Sequence, residues 1–257
     1  MTTCNPIMNL ENKRALIVGA SSDTGPSVAR AFARSGAKLA LTYHSNRMGA
    51  ESVAAECRTL GAPQARILPL DLMDSAQCES CIGTVTETLG GLDILIAVAG
   101  AGGSYRSLLE TKPQEMREAF QGQVCGNFTL ARDAGLAMPD DGSGRIIFIS
   151  ATSSLKFSHA SYGYAKAALN QLTFFLAYEL ASRKVTVNTL VPQLIDLDSI
   201  EPALREKRRS FTPLGLIPHP DQIANHCLSL CSPSFNIVTG ELIHLDGGYR
   251  LRPLEDR

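Results

Sequence analysis

No apolar run in this chain approaches the roughly 18 residues that cross a bilayer. A membrane-spanning protein is therefore not expected. Charge of one sign is also missing: 24 Lys and Arg stand against 25 Asp and Glu, a net charge of -1. That balance excludes the basic footprint of a nucleic-acid binder and an acidic tail. Cysteine is sparse and scattered, seven residues from Cys4 to Cys231, without the density of a secreted disulfide framework. Cys78 and Cys81 form a C-x-x-C in a helix-like stretch, but no second pair lies at zinc spacing. Reduced, half-buried thiols are expected there, and no metal site. Gly (21) and Pro (13) are near average, which excludes collagen-like and low-complexity chains. Met1 to Lys13 is polar and has no signal-peptide core, so a cytoplasmic protein is expected.

What is present is a chain of 257 residues, 44% hydrophobic, long enough to bury a large core without staples. Short apolar runs alternate with amphipathic stretches. Arg14–Val18, Leu39–Thr42, Ile67–Leu70, Leu92–Val98, Arg145–Ile149, Val185–Val191 and Leu242–Leu245 read as strands. Helical patterns fill about Gly25–Ser35, Ala50–Leu60, Ser75–Leu89, Pro113–Ala137, Ser161–Ser182 and Asp221–Leu230. Asp74 or Ser75 can cap the third of these, and Gly36, Gly61 and Gly90 act as stops. Nearly continuous apolar strands indicate burial on both faces, as in parallel sheets. The β-α unit recurs with no linker and no shift in composition. The prediction is one α/β domain over residues 1–257, a Rossmann-type doubly wound parallel sheet of about seven strands. Ligands of such a sheet bind beyond the carboxyl ends of its strands. Residues 196–220, long, charged and Pro-bearing, read as a substrate loop or lid.

The first strand runs into Gly19-Ala-Ser-Ser-Asp-Thr-Gly25 and then a helix. Gly19 permits a tight turn. Gly25 lets a pyrophosphate approach the free N–H groups and positive end of the helix. This loop resembles the T-G-x-x-x-G-x-G of the short-chain dehydrogenase/reductase family, with Val18 in place of the usual Thr and Asp23 in place of the middle glycine. The resemblance runs from about Lys13 to Tyr249. It implies that Gly19, Ser21, Thr24 and Gly25 contact a nicotinamide cofactor.

Strand two ends in Tyr43-His-Ser-Asn-Arg47, without the acid that would accept from a ribose 2′-hydroxyl. An acid there would repel a 2′-phosphate, whereas His44, Ser45, Asn46 and Arg47 can bind one. NADP(H) is therefore the expected cofactor. By the same resemblance Asp71 and Leu72 contact the adenine, with Asp71 as a helix-start residue the plainer alternative. Ala99 and Gly100, in the Ala97-Val-Ala-Gly100 that stands for the family's N-N-A-G, and Pro192 and Ile195 after strand six complete the cofactor contacts that it implies.

Tyr162-Gly-Tyr-Ala-Lys166 is the strongest feature. Its i, i+4 spacing puts Tyr162 and Lys166 on one helix face. A nearby ammonium is expected to lower the phenol's pKa and fit it for acid–base work. The pair matches the family's Y-x-x-x-K; Tyr164, two residues from the lysine, is assigned to packing. The family also has a serine after strand five. Counting back twelve residues from Tyr162 gives Ser150, while counting along the strand from Arg145 puts Ala151 there; Ser153 and Ser154 are further hydroxyls. Ser150 is the expected catalytic serine. Gln123 takes the place of the family's water-anchoring asparagine, and Leu197 that of its cofactor-amide threonine.

The resemblance implies an NADPH-dependent reductase acting on a ketone of a small organic or acyl-carrier-borne substrate. Two alternatives stand beside it. One is reduction of a conjugated C=C bond, as in the family's enoyl reductases, whose tyrosine slot is His159 here. The other is non-redox chemistry, isomerisation or cyclisation, on a retained scaffold. A homo-oligomer, a tetramer, is expected, because Phe174, Phe175 and Tyr178 add apolar surface to a helix beyond its leucine spine.

Overall fold

In the computed structural model, residues 8–21, 23–155 and 160–251 are described. Seven strands form one parallel sheet: β1 (Arg14–Val18), β2 (Lys38–Tyr43), β3 (Ala65–Pro69), β4 (Ile94–Ala97), β5 (Arg145–Ile149), β6 (Thr186–Pro192) and β7 (Leu242–Leu245). Their order is β3-β2-β1-β4-β5-β6-β7. The chain builds outward from β1 through β2 to β3, then returns to the other side of β1 with β4. The order thus reverses between β1 and β4, and a crevice opens there. Register is set by pairs such as Leu16 with Ala40 and Leu95.

Among the described residues eight α-helices flank the sheet: α1 (Gly25–Arg34), α2 (Arg47–Thr59), α3 (Ser75–Leu89), α4 (Pro113–Phe120), α5 (Gly126–Ala137), α6 (Ala160–Glu179), α7 (Pro202–Ser210) and α8 (Pro220–Leu230). Alternate strand residues feed two cores. Ala15, Ile17, Leu39 and Leu41 pack with Val28, Phe32 and Val53 of α1 and α2 and with Ile223 and Cys227 of α8. Leu16, Val18, Leu95 and Phe148 pack with Ile82, Leu130, Leu169 and Leu176 of α3, α5 and α6. Burial on both faces is the physical reason the strands read as unbroken apolar runs. Cys78 and Cys81 lie in the second core, where burial pushes their thiols up to about 11 and about 12. They are free thiols.

Three details depart from the sequence reading. The region 113–137 is not one regular helix: residues Gln121–Cys125 form a π-helical segment between α4 and α5. Residues 196–220 are not all loop, since they carry the nine-residue helix α7. Tyr164 is not packed but exposed on α6, as are Phe174, Phe175 and Tyr178. Among the described residues no helix is long and apolar enough to cross a membrane.

Candidate active site

The carboxyl edge of the sheet carries three adjoining cavities. The first, about 370 Å³, lies over β2 and β3 and is lined by Ser21, His44, Ser45, Asn46, Asp71 and Leu72 among others. The second, about 320 Å³, sits at the β1–β4 crevice and shares Gly19, Ala99 and Gly100 with the first. The third, about 370 Å³, shares Tyr105, Ser150, Tyr162 and Ile195 with the second and continues to Pro192 and Leu197. Apart from Gly25 and Arg47, every residue expected to touch cofactor or substrate thus lines this cleft.

The loop after β1 is held to β2: the Gly19 N–H donates to Thr42 Oγ1 at 3.0 Å, and the Asn46 amide donates to the Ser21 carbonyl at 3.2 Å. Gly19 has φ 83°, and a Cβ on it would lie 2.4 Å from the Ala99 side chain. A Cβ on Gly25 would lie 2.0 Å from the Gly19 carbonyl oxygen. The loop therefore closes over the start of α1 only with these two glycines. Asp23 has φ 54°, the left-handed conformation that glycine serves most cheaply and Asp tolerates better than most. Its carboxylate-bearing side chain lines the second cavity.

At the adenine end, Asp71 is not a helix cap. Asp74 caps α3, accepting from Ala76 and Gln77, while Asp71 lies 3.6 Å from His44 Nε2. Arg47 is the expected residue the structure places elsewhere. Helix α2 starts three residues earlier than its apolar pattern, with Asn46 as its cap, and Arg47 pairs with Glu51 one turn on. It does not line the cleft.

Tyr162 and Lys166 face the second cavity together, the Lys166 Nζ 5.8 Å from the centre of the Tyr162 ring. Lys166 is buried and donates to the Ile149 carbonyl at the end of β5, at 3.0 Å. Burial without a carboxylate pulls its ammonium down to about 8. The expected lowering of the Tyr162 phenol is not what this structure gives. Burial pushes it up, and the neighbouring Tyr105, by its charge when ionised and by a hydrogen bond between the hydroxyls, pushes the same way.

Ser150 follows β5 in the same cavity, its N–H donating to Leu190 and its Oγ lying 3.5 Å from the Lys166 carbonyl. Ser154 is committed to Ala151 and Asn170. Ser153 lines the third cavity with a buried hydroxyl that has no partner. Gln123 is carried by the π-helical segment; its Nε2 donates to Gly102 at 3.1 Å, and its buried Oε1 is unsatisfied. Such segments often mark functional positions. Leu197 lines the third cavity rather than the second. His159 lies outside the described residues.

Sequence reading missed Tyr105. Its ring lies 5.0 Å from that of Tyr162, and its segment is tied to α6 because the Ser104 N–H donates to Ser161 Oγ at 2.8 Å. The available signal was an aromatic residue just after Gly102-Gly103, in the loop leaving β4 at the crevice.

Three features suit a dinucleotide. The glycine cradle would be filled by a Cβ, the buried Thr24 Oγ1 at the start of α1 has no partner, and the cleft runs unbroken from β3 to α6. The residues present fit an NAD(P) cofactor. Among the described residues no group of three His, Cys, Asp or Glu is placed to hold a metal ion.

Known proteins point the same way. A family model described as Enoyl-(Acyl carrier protein) reductase matches residues 19–250. The 3-oxoacyl-[acyl-carrier-protein] reductase FabG of Vibrio cholerae is 32% identical over 247 residues, 94% of this chain and 98% of that protein. A short chain dehydrogenase from Burkholderia cenocepacia in complex with NADP superimposes with TM-score 0.87 at 28% identity, covering 94% of this chain and 99% of that one. A 7 alpha-hydroxysteroid dehydrogenase complexed with NADH and 7-oxo glycochenodeoxycholic acid gives TM-score 0.86 at 28% identity, over 96% and 98% of the two chains. With its sheet order, its glycine cradle and its Tyr162–Lys166 pair, the chain belongs to the short-chain dehydrogenase/reductase family of NAD(P)-dependent oxidoreductases.

Proposed function

We propose that the protein reduces a ketone to a secondary alcohol with NADPH, on a small organic or acyl-carrier-borne substrate. The observation that carries this reading is the meeting of Tyr162 and Ser150 where the second and third cavities join, with Lys166 beside them in the second. A bound reduced nicotinamide supplies the hydride. Tyr162 Oη gives its proton to the carbonyl oxygen, so that the carbon gains the hydride and the oxygen the proton. Ser150 Oγ donates a hydrogen bond to that oxygen and orients it. Lys166, which donates to Ile149 in this structure, would donate to the ribose of a bound cofactor from beside the Tyr162 ring. Gln123, with its unsatisfied Oε1, holds a water for return of the proton.

Gly19, Ser21 and Thr24 would hold the pyrophosphate, with Gly25 allowing the turn beneath it, Asp71 and Leu72 the adenine, and Ala99, Gly100, Pro192 and Ile195 the nicotinamide side. His44, Ser45 and Asn46 receive the 2′-phosphate, supported by the lack of an acid at the end of β2. Residues 196–220 act as the lid of this single domain. Gln193 ties the far end of that segment to β6 by donating to Thr212 and Leu216, at 3.0 Å each. The exposed stripe of Tyr164, Phe175 and Tyr178 on α6 supports assembly into a tetramer in the cytoplasm, and light scattering of a monomer at micromolar concentration would refute it.

A second reading, reduction of a conjugated C=C bond, is favoured by the description of the matching family. Nicotinamide absorbance with a panel of ketones and enones decides between them. Oxidation of NADPH by ketones is the expected result; consumption with enones alone supports the second reading, and none with either supports non-redox chemistry. Fluorescence titration is expected to give a lower Kd for NADPH than for NADH.

A further inference from the structure

The third cavity extends from Ser150 and Tyr162 to Leu197, Ile200, Arg208 and Tyr249. Apart from the polar groups at its catalytic end, its described lining is largely apolar and aromatic, with Arg208 as the one charged side chain and no acid. Helix α7 brings four cations to this region, Arg205, Lys207, Arg208 and Arg209. Asp196 binds two of them, Arg205 through Nε and Arg209 through Nη2. Arg208 forms no ion pair among the described residues. Its guanidinium instead lies over the Tyr249 ring, 4.6 Å from the centroid.

This arrangement sorts the charges of α7 by task. Asp196 pairs with the two arginines that fasten the helix to the loop after β6. The Tyr249 ring holds the third guanidinium at its face, and among the described residues no hydrogen bond takes its N–H groups, which are left for an acceptor. A planar donor edge of this kind matches a carboxylate or a phosphate, which can take two parallel hydrogen bonds. A neutral substrate would leave the cation without a counterion beside apolar walls.

We propose that the natural substrate is a ketone with an anionic group, carboxylate or phosphate ester, at the end remote from its carbonyl, and that Arg208 determines this specificity by receiving that group. The inference rests on the ketone-reductase reading. The anionic group is unchanged by the reaction; it anchors the far end while the carbonyl meets Ser150 and Tyr162.

The test uses an oxohexanoate, its methyl ester, and the oxohexyl phosphate of the same length, with NADPH. The carboxylate or the phosphate is expected to have a KM at least tenfold below that of the ester, and the better of the two identifies the source of the charge. In Arg208→Gln that KM is expected to rise about 10- to 100-fold with kcat little changed, while the ester is unaffected. Arg208→Lys should recover part of the loss, and added salt should erode the preference. Equal KM values for ester and anions, or an equal loss on both in Arg208→Gln, overturn the proposal and leave the reductase reading intact. If no ketone is reduced, that reading fails. Calorimetric titration of oxohexanoate and its ester into wild type and Arg208→Gln then judges the anion site alone: equal affinities overturn it.

Discussion

At the amino ends of the strands Asp93 is buried with its counterions; at the carboxyl ends Lys166 is buried without one. Asp93 accepts from the Arg14 backbone N–H at 2.9 Å and from the Arg14 guanidinium at 2.7 and 3.0 Å, with Lys13 at 3.8 Å. These contacts join the start of β1 to the turn before β4, where β1 and β4 pair. Among the described residues the Lys166 ammonium donates one hydrogen bond, to a carbonyl, and forms no ion pair. The guanidinium of Arg14 is held up by its partner, while the ammonium of Lys166 is drawn down by burial. One arrangement secures the central strands. The other keeps a charge available for something that arrives. The same contrast recurs on α7, between the arginines bound to Asp196 and Arg208.

Two substitutions should separate these tasks. Tyr162→Phe is expected to lower single-turnover rates by about 10²- to 10⁴-fold, with NADPH affinity and urea midpoint nearly unchanged. Only the hydroxyl is lost, and the ring keeps its contact with Tyr105. Asp93→Asn is expected to do the reverse. Breaking a buried pair costs about 3–5 kcal/mol, and the lower end applies because a quarter of the Arg14 side chain remains in water. Turnover per folded molecule should hold. A Tyr162→Phe enzyme with full activity would end the ketone-reductase reading. An Asp93→Asn protein of wild-type stability would show that the two ends do not differ as described.

β1 and β5 were legible because burial on both faces leaves an apolar run, and they fall where the pattern puts them; half-buried β7 at the sheet edge does so as well. Helix α2 was misplaced at its start because its buried face begins only at Ala50, with Val53, Ala54 and Cys57, while the signal for the earlier start is the Asn46 cap. The Tyr162–Lys166 pair was legible because it is local, four residues on one helix. The state of the pair was not. It depends on the burial of Lys166 under β5 and on Tyr105, 57 residues away in the chain, and no spacing rule reports either. Arg47 shows the converse: its charge suggested a phosphate contact, but the nearer Glu51 captures it. In the sequence Arg208 is one cation among four, and only the fold shows that Asp196 takes two of the others.

The smallest effect expected is also the most specific to a buried, unpaired charge. In the folded protein Lys166 titrates at about 8, against 10.5 for the exposed side chain of the unfolded chain. Below about pH 8 both states are protonated, and the folded state carries the full cost of burying the charge. Between about 8 and 10.5 the unfolded state binds more protons, so this group makes stability rise with pH; above that the cost is gone. The buried thiols act in the opposite sense. Cys57 is raised to about 11 and Cys231 to about 12, so from about pH 9 the unfolded chain loses those protons first and stability falls. The net curve therefore hides the lysine, but Lys166→Met removes it while leaving the thiols in place. Urea denaturation of both proteins at pH 7, 8, 9 and 10 is the measurement. The variant's stability advantage over wild type should be greatest at pH 7 and shrink by about 1 kcal/mol per pH unit above 8. Parallel curves would mean that Lys166 is not charged at the cost its surroundings impose, and the contrast with Asp93 would lose its energetic basis.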